Sequence, residues 1–170
     1  MKSISRPDWD NYLMNFSLAV RSRANCIGSK VGCLIAIQER IISTGYNGTP
    51  TGTINCDQGG CERCNERDLY GKGKGYDVCI CVHAEQNAIL AAAKFGIPVD
   101  GATIYTTLQP CFGCLKESLQ AGISTIKFLN PWEHPDRRLK RTYDSLQKKF
   151  SGGLYKINID ENEIRRLENF

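Results

Sequence analysis

The sequence HAEQNAILAAAKFGIPVDGATIYTTLQPCFGCLKESLQA, residues 83–121, contains the elements that decide the fold. Its first part, 84–95, is rich in strong helix formers, and Gly96 is typical of a helix end. The β-branched run 103–108 predicts a strand, and 111–121 predicts a second helix. A helix, a strand and a helix in direct succession predict a layered α/β domain with parallel crossover connections.

The flanking sequence extends this pattern in both directions. On the N-terminal side, helical spacing predicts an amphipathic helix over 7–24, and two β-branched runs, 31–37 and 41–46, predict a hairpin. The predicted apolar face of that helix consists of Trp9, Tyr12, Leu13, Phe16 and Val20. Between the hairpin and His83, residues 47–82 show neither helical nor strand periodicity, which indicates a long insertion.

The C-terminal side continues with a strand over 125–129, a basic helix over 136–150, a strand over 154–159 and a short helix from Asp160. The whole chain, 1–170, therefore predicts a single domain. Its expected architecture is a three-layer α/β/α sandwich around a mixed sheet of about five strands.

Composition excludes several classes of protein. The chain has 170 residues, of which 41% are hydrophobic and 24% charged, as is usual for one globular domain. Its apolar runs are shorter than the roughly 18 residues of a membrane span, and the N-terminus lacks an apolar signal block, so we expect a cytoplasmic protein without a membrane partner. A net charge of +4 with interspersed signs gives no reason to expect nucleic acid. Nine cysteines in a reducing compartment indicate metal ligands or a nucleophile.

Three metal-ligand candidates lie at the starts of the two central helices. Cys111 and Cys114 are three residues apart in a first helical turn, which places both sulfurs on one side, and His83 supplies a third donor. One imidazole and two thiolates leave zinc with an open fourth position, as in catalytic sites, where zinc lowers the pKa of water from about 16 to about 7. Glu85 lies beside this position and is the expected proton shuttle.

Two simpler interpretations compete with this one. A closed structural zinc site would need a fourth ligand, which Cys79 or Cys81 could supply, but it would leave Glu85 without a role. A redox pair of Cys111 and Cys114 would explain neither His83 nor Glu85. The order His-x-Glu followed by Pro-Cys-x-x-Cys is the signature of zinc-dependent nucleobase deaminases, so hydrolytic deamination is the predicted reaction.

Over about residues 8–130 the chain resembles the deoxycytidylate (dCMP) deaminases of the cytidine deaminase-like superfamily. The resemblance is carried by Val31-Gly32, by Gly45-Tyr46-Asn47-Gly48-Thr49-Pro50-Thr51-Gly52, by Val82-His83-Ala84-Glu85-Gln86-Asn87-Ala88-Ile89, by Gly101-Ala102-Thr103-Ile104-Tyr105 and Thr107, and by Pro110-Cys111, Cys114 and Gln120-Ala121-Gly122-Ile123. It implies the conversion of dCMP to dUMP, the thymidylate precursor. It also implies a homohexamer that dCTP activates and dTTP inhibits, each with Mg²⁺.

The resemblance also implies roles for individual residues. Substrate contacts are expected from Asn47 to the deoxyribose, from Ala84 to the base and from Trp132 over the nucleotide, with a core or interface position as the alternative for Trp132. The substrate phosphate requires a cation or hydroxyl near the end of the first helix, where Arg23 and Lys30, or Ser22 and Ser29, are available. The effector nucleotide is expected on the glycine-containing loop formed by Gly48, Thr49, Pro50 and Gly52. Glycines at such a loop permit close backbone approach to phosphate.

Cysteines outside the first site suggest a second metal. The resemblance implies a structural zinc whose ligands map best to Cys26, Cys56, Cys61 and Cys79. Spacing alone favours Cys61 and Cys64 as a pair, and several of these cysteines being free thiols is the remaining alternative. Cys33, inside a predicted strand, is expected to belong to the core.

Two other functions remain open at this point. A deaminase acting on tRNA adenosine or another polynucleotide would share both zinc motifs, but the modest charge and the long insertion disfavour it. A non-catalytic zinc module that binds nucleotides would have no need for Glu85 beside an open metal position.

Overall fold

A computed structural model of the protein describes residues 6–71, 74–134 and 136–159. It contains five strands, β1 (Gly32–Ile37), β2 (Arg40–Tyr46), β3 (Thr103–Leu108), β4 (Thr125–Asn130) and β5 (Gly153–Lys156). Its longer helices are α1 (Trp9–Arg21), α4 (Ala84–Lys94), α5 (Phe112–Gln120) and α6 (Arg137–Gln147). The insertion adds a 3-10 turn (Cys56–Gln58) and the short helices α2 (Glu62–Asn65) and α3 (Arg67–Tyr70). The helix predicted from Asp160 lies outside the described residues.

The five strands form one mixed sheet in the order β2-β1-β3-β4-β5. The β1–β2 hairpin and the β1–β3 pair are antiparallel, whereas β3–β4 and β4–β5 are parallel. The predicted hairpin and the predicted parallel crossovers of the second half are therefore confirmed.

Helices cover both faces of the sheet. On one face, α1 contributes Leu13 and Met14 to a buried cluster with Leu34 of β1. On the other face, α4, α5 and α6 pack around Ile35 and Ile104. This alternation of β1 side chains confirms the three-layer α/β/α sandwich.

Two glycines let helices lie directly on the strands. A Cβ at Gly32 of β1 would come 2.1 Å from the Ser17 carbonyl oxygen of α1, and one at Gly45 of β2 would come 2.2 Å from the Ala84 carbonyl oxygen of α4. Because α4 contacts β2 backbone to backbone at this point, its N-terminus is held firmly at the edge of the sheet where the site forms.

The predicted apolar face of α1 is wrong in part. The buried side chains are Leu13, Met14, Ser17 and Leu18. Trp9, Tyr12 and Phe16 are instead about 40% exposed and contact one another edge to face. The face of α1 with the smaller side chains is buried against the sheet, because the close approach of α1 to β1 at Gly32 leaves no room for aromatic rings.

Candidate functional site

The starts of α4 and α5 bring three metal-ligand candidates together. His83 precedes α4, Cys111 precedes α5, and Cys114 lies in the first turn of α5. The Nδ1 atom of His83 lies 3.3 Å from Cys111 Sγ and 3.4 Å from Cys114 Sγ, and the two sulfurs are 3.6 Å apart. Tetrahedral zinc with these donors requires separations of about 3.6 to 3.8 Å, so the residues fit the ion.

Local contacts hold these donors in place. The His83 backbone N–H donates to Gln86 Oε1 (2.8 Å), and Gln86 Nε2 donates to Glu117 Oε1 of α5 (3.0 Å). Tyr143 of α6 donates its hydroxyl to the Pro110 carbonyl (2.7 Å), which fixes the chain directly before Cys111. Side-chain hydrogen bonding, first from Cys114 and then from His83, lowers the pKa of Cys111 to about 4, so this residue is a thiolate at neutral pH, the form that binds metal.

Glu85 is the second residue of α4 and lies in its first turn, with only 4% of its surface exposed. The hydroxyl of Thr106, at the centre of β3, donates to Glu85 Oε1 (3.0 Å). Burial, followed by the negative charge of Cys111, raises the pKa of Glu85 above its ordinary value. A carboxyl group with raised proton affinity beside an open metal position suits a proton shuttle.

The metal-ligand candidates open onto a cleft of about 320 Å³. Trp132 lines it, and its predicted position over the nucleotide stays a prediction. Sequence reasoning missed the aromatic residues that accompany it, which are Tyr76, Phe112 and His134. The ring of Tyr76 meets that of His83 edge to face at 6.0 Å. Tyr76 and His134 lie in segments without a motif, whereas Phe112 occupies a variable position of the Pro-Cys-x-x-Cys motif, and its proximity to Cys111 could have suggested it.

Other predicted substrate residues lie outside this lining. Asn47 is buried and uses its amide within the chain, accepting from the Val31 N–H (2.7 Å) and donating to the Ser29 carbonyl (2.6 Å). Ala84 is fully buried at the start of α4, and Arg23 and Lys30 are exposed near the end of α1. Among the described residues, no lysine or arginine lines the cleft. The substrate roles of these four residues stay predictions.

Two backbone N–H groups of the predicted effector loop form hydrogen bonds within the chain. The Gly48 N–H donates to the Val82 carbonyl, and the Thr49 N–H donates to Asn25 Oδ1. A Cβ at Gly48 would lie 2.5 Å from Asn25 Oδ1, so this glycine is required by close packing. Pro50 and Gly52 are exposed, and the Thr49 hydroxyl oxygen is buried without a hydrogen-bond partner.

The remaining cysteines converge in two groups. Among the described residues, the sulfurs of Cys26, Cys56, Cys64 and Cys81 lie within 4.8 Å of one another, as do those of Cys61, Cys64, Cys79 and Cys81. The predicted set of Cys26, Cys56, Cys61 and Cys79 is thus divided between the two groups, because Cys64 and Cys81 project into the middle. Cys33 is fully buried in the main core, as predicted.

The fold and the donor set define a zinc-binding deaminase-like protein. The family profile described as "Cytidine and deoxycytidylate deaminase zinc-binding region" matches residues 7–130. The chain belongs to the deoxycytidylate deaminase family of the cytidine deaminase-like superfamily.

Three curated deoxycytidylate deaminases illustrate the relationship. The chain is 38% identical over 140 residues to that of Saccharomyces cerevisiae, covering 82% of this chain and 43% of the relative, and 41% identical over 123 residues to that of Schizosaccharomyces pombe, covering 72% and 37%. It is 34% identical over 131 residues to that of Mycobacterium phage D29, covering 74% and 97%. The chain therefore spans about two fifths of the length of the two yeast relatives.

A solved structure extends the similarity to three dimensions. The crystal structure of dCMP deaminase from the cyanophage S-TIM5 superposes with a TM-score of 0.66 at 26% identity, covering 90% of this chain and 100% of that one. The same enzyme has also been solved in complex with dCMP and dUMP.

Proposed function

We propose that this protein deaminates dCMP hydrolytically to dUMP and ammonia. The observation that carries the proposal is the buried Glu85 carboxylate next to a three-donor metal site with no fourth protein ligand among the described residues within the same group. A closed structural site would require a fourth donor, and a simple binding site would not require a buried carboxylate.

His83, Cys111 and Cys114 hold the zinc ion, which when bound acts as a Lewis acid and makes water nucleophilic at neutral pH. Glu85 accepts one proton from the attacking water and transfers it to the ring nitrogen. It then takes the proton of the hydroxyl group that has been added to the ring carbon and delivers it to the amino group, which leaves as ammonia. The Thr106 hydroxyl orients the Glu85 carboxylate throughout. Trp132 and Tyr76 line the cleft, and their flat apolar rings are suited to contact a base.

The mononucleotide is the proposed substrate class because the cleft is small and none of the described residues that line it is a lysine or arginine that could hold a polynucleotide backbone. The cyanophage relative of matching length bears the name of a dCMP deaminase, which supports the same choice. The deoxyribose contact of Asn47, the base contact of Ala84 and the phosphate contact of Arg23 or Lys30 belong to this proposal.

Regulation by dCTP and dTTP with Mg²⁺ is a further part of the proposal. Its support is the exposed segment at Pro50 and Gly52 and the unpartnered Thr49 hydroxyl, which leave donors and backbone for a nucleotide. We also infer a homohexamer and a cytoplasmic location. No helix within the described part of the chain is long and apolar enough to cross a membrane.

The deciding experiment follows the ultraviolet absorbance of dCMP and the release of ammonia, with zinc content measured in parallel. We expect Glu85→Gln to lower kcat by at least about 10³-fold while the zinc content stays unchanged, because the variant keeps the metal ligands and removes the proton shuttle. Glu39→Gln, an exposed turn position, is the matched control and should retain full activity.

The same assay is run with dCTP or dTTP plus Mg²⁺ to test regulation. Identical rates with either nucleotide would remove the regulatory part alone. Lack of dCMP turnover under all conditions, together with deamination of a tRNA anticodon stem, would overturn the proposed substrate.

A further inference from the structure

Six cysteines outside the catalytic site form a compact cluster of their own, which we call the thiol cluster: Cys26, Cys56, Cys61, Cys64, Cys79 and Cys81. Five of them are buried, and Cys79 is half-buried. Within the described part of the chain, no aliphatic or aromatic side chain belongs to this cluster. A buried centre made of sulfur alone cannot be explained as an ordinary apolar core, because cysteine side chains are small and offer little apolar area.

The sulfur separations match metal coordination and exclude disulfide bonds in this state. Cys26 and Cys64 Sγ are 3.9 Å apart, and Cys79 Sγ lies 3.8 Å from both Cys61 and Cys64 Sγ. Four thiolates around one zinc ion, each at about 2.3 Å, are separated by about 3.8 Å. A disulfide would require a separation of about 2.05 Å.

The two four-sulfur groups share two members. Each group needs Cys64 and Cys81, and each adds a private pair, Cys26 with Cys56 or Cys61 with Cys79. Two tetrahedral zinc ions joined through two bridging thiolates require six cysteines, which is the number present. From this geometry we infer that the thiol cluster binds two zinc ions, with Cys64 and Cys81 bridging them.

Hydrogen-bond donors and a positively charged side chain lie next to the thiol cluster, where they would stabilise a negatively charged metal centre. Two zinc ions and six thiolates leave a net negative charge, and backbone N–H groups already face the sulfurs. The Gly28 N–H donates to Cys26 Sγ (3.3 Å) and the Ile27 N–H to Cys56 Sγ (3.5 Å). The guanidinium group of Arg67 donates to the Ile27 carbonyl, next to Cys26, which places a positive charge at the same end.

The thiol cluster joins three distant segments. Cys26 follows α1, and Cys56, Cys61 and Cys64 lie in the middle of the insertion. Cys79 and Cys81 lie at its end, directly before His83, and line the active cleft. Two bound metals therefore anchor the insertion and the chain that leads into the catalytic donors, a region where apolar packing is scarce.

The test measures metals in the purified full-length protein by mass spectrometry. We expect three zinc ions per chain, two in the thiol cluster and one at His83, Cys111 and Cys114, with no iron. A total of two or fewer, or iron in the cluster, would overturn the inference. The count does not depend on turnover, so a failure of the proposed deamination would leave it intact.

Paired variants separate a two-metal cluster from a single-metal site. The Cys26→Ser/Cys56→Ser and Cys61→Ser/Cys79→Ser double variants should each lose zinc, because each removes the private pair of one ion. If either double variant keeps the full zinc content of the unaltered protein, only the other group holds metal and the inference is wrong. Cys33→Ala, at a buried cysteine outside the thiol cluster, is the control and should keep all zinc.

A spectroscopic test on the unaltered protein avoids reliance on variants that fail to fold. After exchange with cadmium-113, two resonances in the tetrathiolate range should show scalar coupling through the shared sulfurs. A single tetrathiolate resonance, or two without coupling, would overturn the bridging arrangement.

Discussion

Thr106 shows how one hydroxyl group supports the chemistry of a neighbouring carboxylate. It is fully buried in the middle of β3 and donates to Glu85 Oε1 across the interface between the sheet and α4. Because Glu85 is buried as well, no bulk water replaces this hydrogen bond if it is lost. The strand therefore fixes the carboxylate orientation that the proton transfers require.

We predict that Thr106→Val lowers kcat for dCMP about 10- to 100-fold. A hydrogen bond to a charged group contributes about 1.5 to 3 kcal/mol, and about 1.4 kcal/mol corresponds to a tenfold change in rate. Steady-state kinetics and zinc analysis check this prediction, and the zinc content should not change. Thr106→Ser keeps the hydroxyl and should retain most of the activity; equal losses in both variants would show that packing, not the hydrogen bond, is responsible.

At the scale of elements, the site depends on the close packing of helices on the sheet. Gly32 and Gly45 let α1 and α4 contact the backbones of β1 and β2, and α4 carries His83 at its start and Glu85 in its first turn. Any increase in the distance between α4 and β2 shifts His83 and Glu85 relative to β3, which carries Thr106. Stability and catalytic geometry are therefore coupled through the same helix.

We predict that Gly32→Ala and Gly45→Ala each lower the free energy of unfolding by about 1 to 3 kcal/mol. The added Cβ would lie within about 2.2 Å of helix backbone, which cannot move as a flexible side chain can. Chemical denaturation monitored by circular dichroism measures the change. Gly113→Ala, whose Cβ would meet nothing closer than 4.0 Å, is the control and should be neutral or slightly stabilising. Unchanged stability of the first two variants would contradict the packing described.

At the scale of the whole molecule, α1 presents an unusual aromatic surface. Trp9, Tyr12 and Phe16 form an edge-to-face ladder, with ring centroids 5.6 and 5.0 Å apart, along the side of the helix that faces away from the sheet. Exposed aromatic clusters of this kind are typical of protein interfaces. A second copy of the chain is the expected partner, in keeping with the proposed homohexamer.

We predict that the Tyr12→Ser/Phe16→Ser double variant forms a smaller assembly than the unaltered protein. Both side chains are exposed in the single chain, so their loss should affect association more than folding. Sedimentation velocity measures the assembly, and circular dichroism verifies the fold. Phe95→Ser changes an exposed phenylalanine at the end of α4 and should leave the assembly intact. Dissociation by Phe95→Ser alone would place the interface on α4 instead.

The sequence by itself determined the order and type of the main elements, and it singled out the three donors His83, Cys111 and Cys114 that the structure brings together. Helical and strand periodicities are local, and the motifs around His83 and Cys111 each begin a helix, so right-handed crossovers suffice to bring them together. Only the tertiary structure decided which face of α1 is buried, because the close approach at Gly32 overrides side-chain hydrophobicity. Only the tertiary structure, likewise, placed Cys64 and Cys81 between the two cysteine pairs. The sulfurs of the thiol cluster come from segments up to 55 residues apart, from Cys26 to Cys81. No local sequence pattern predicts how a long insertion folds back on the chain.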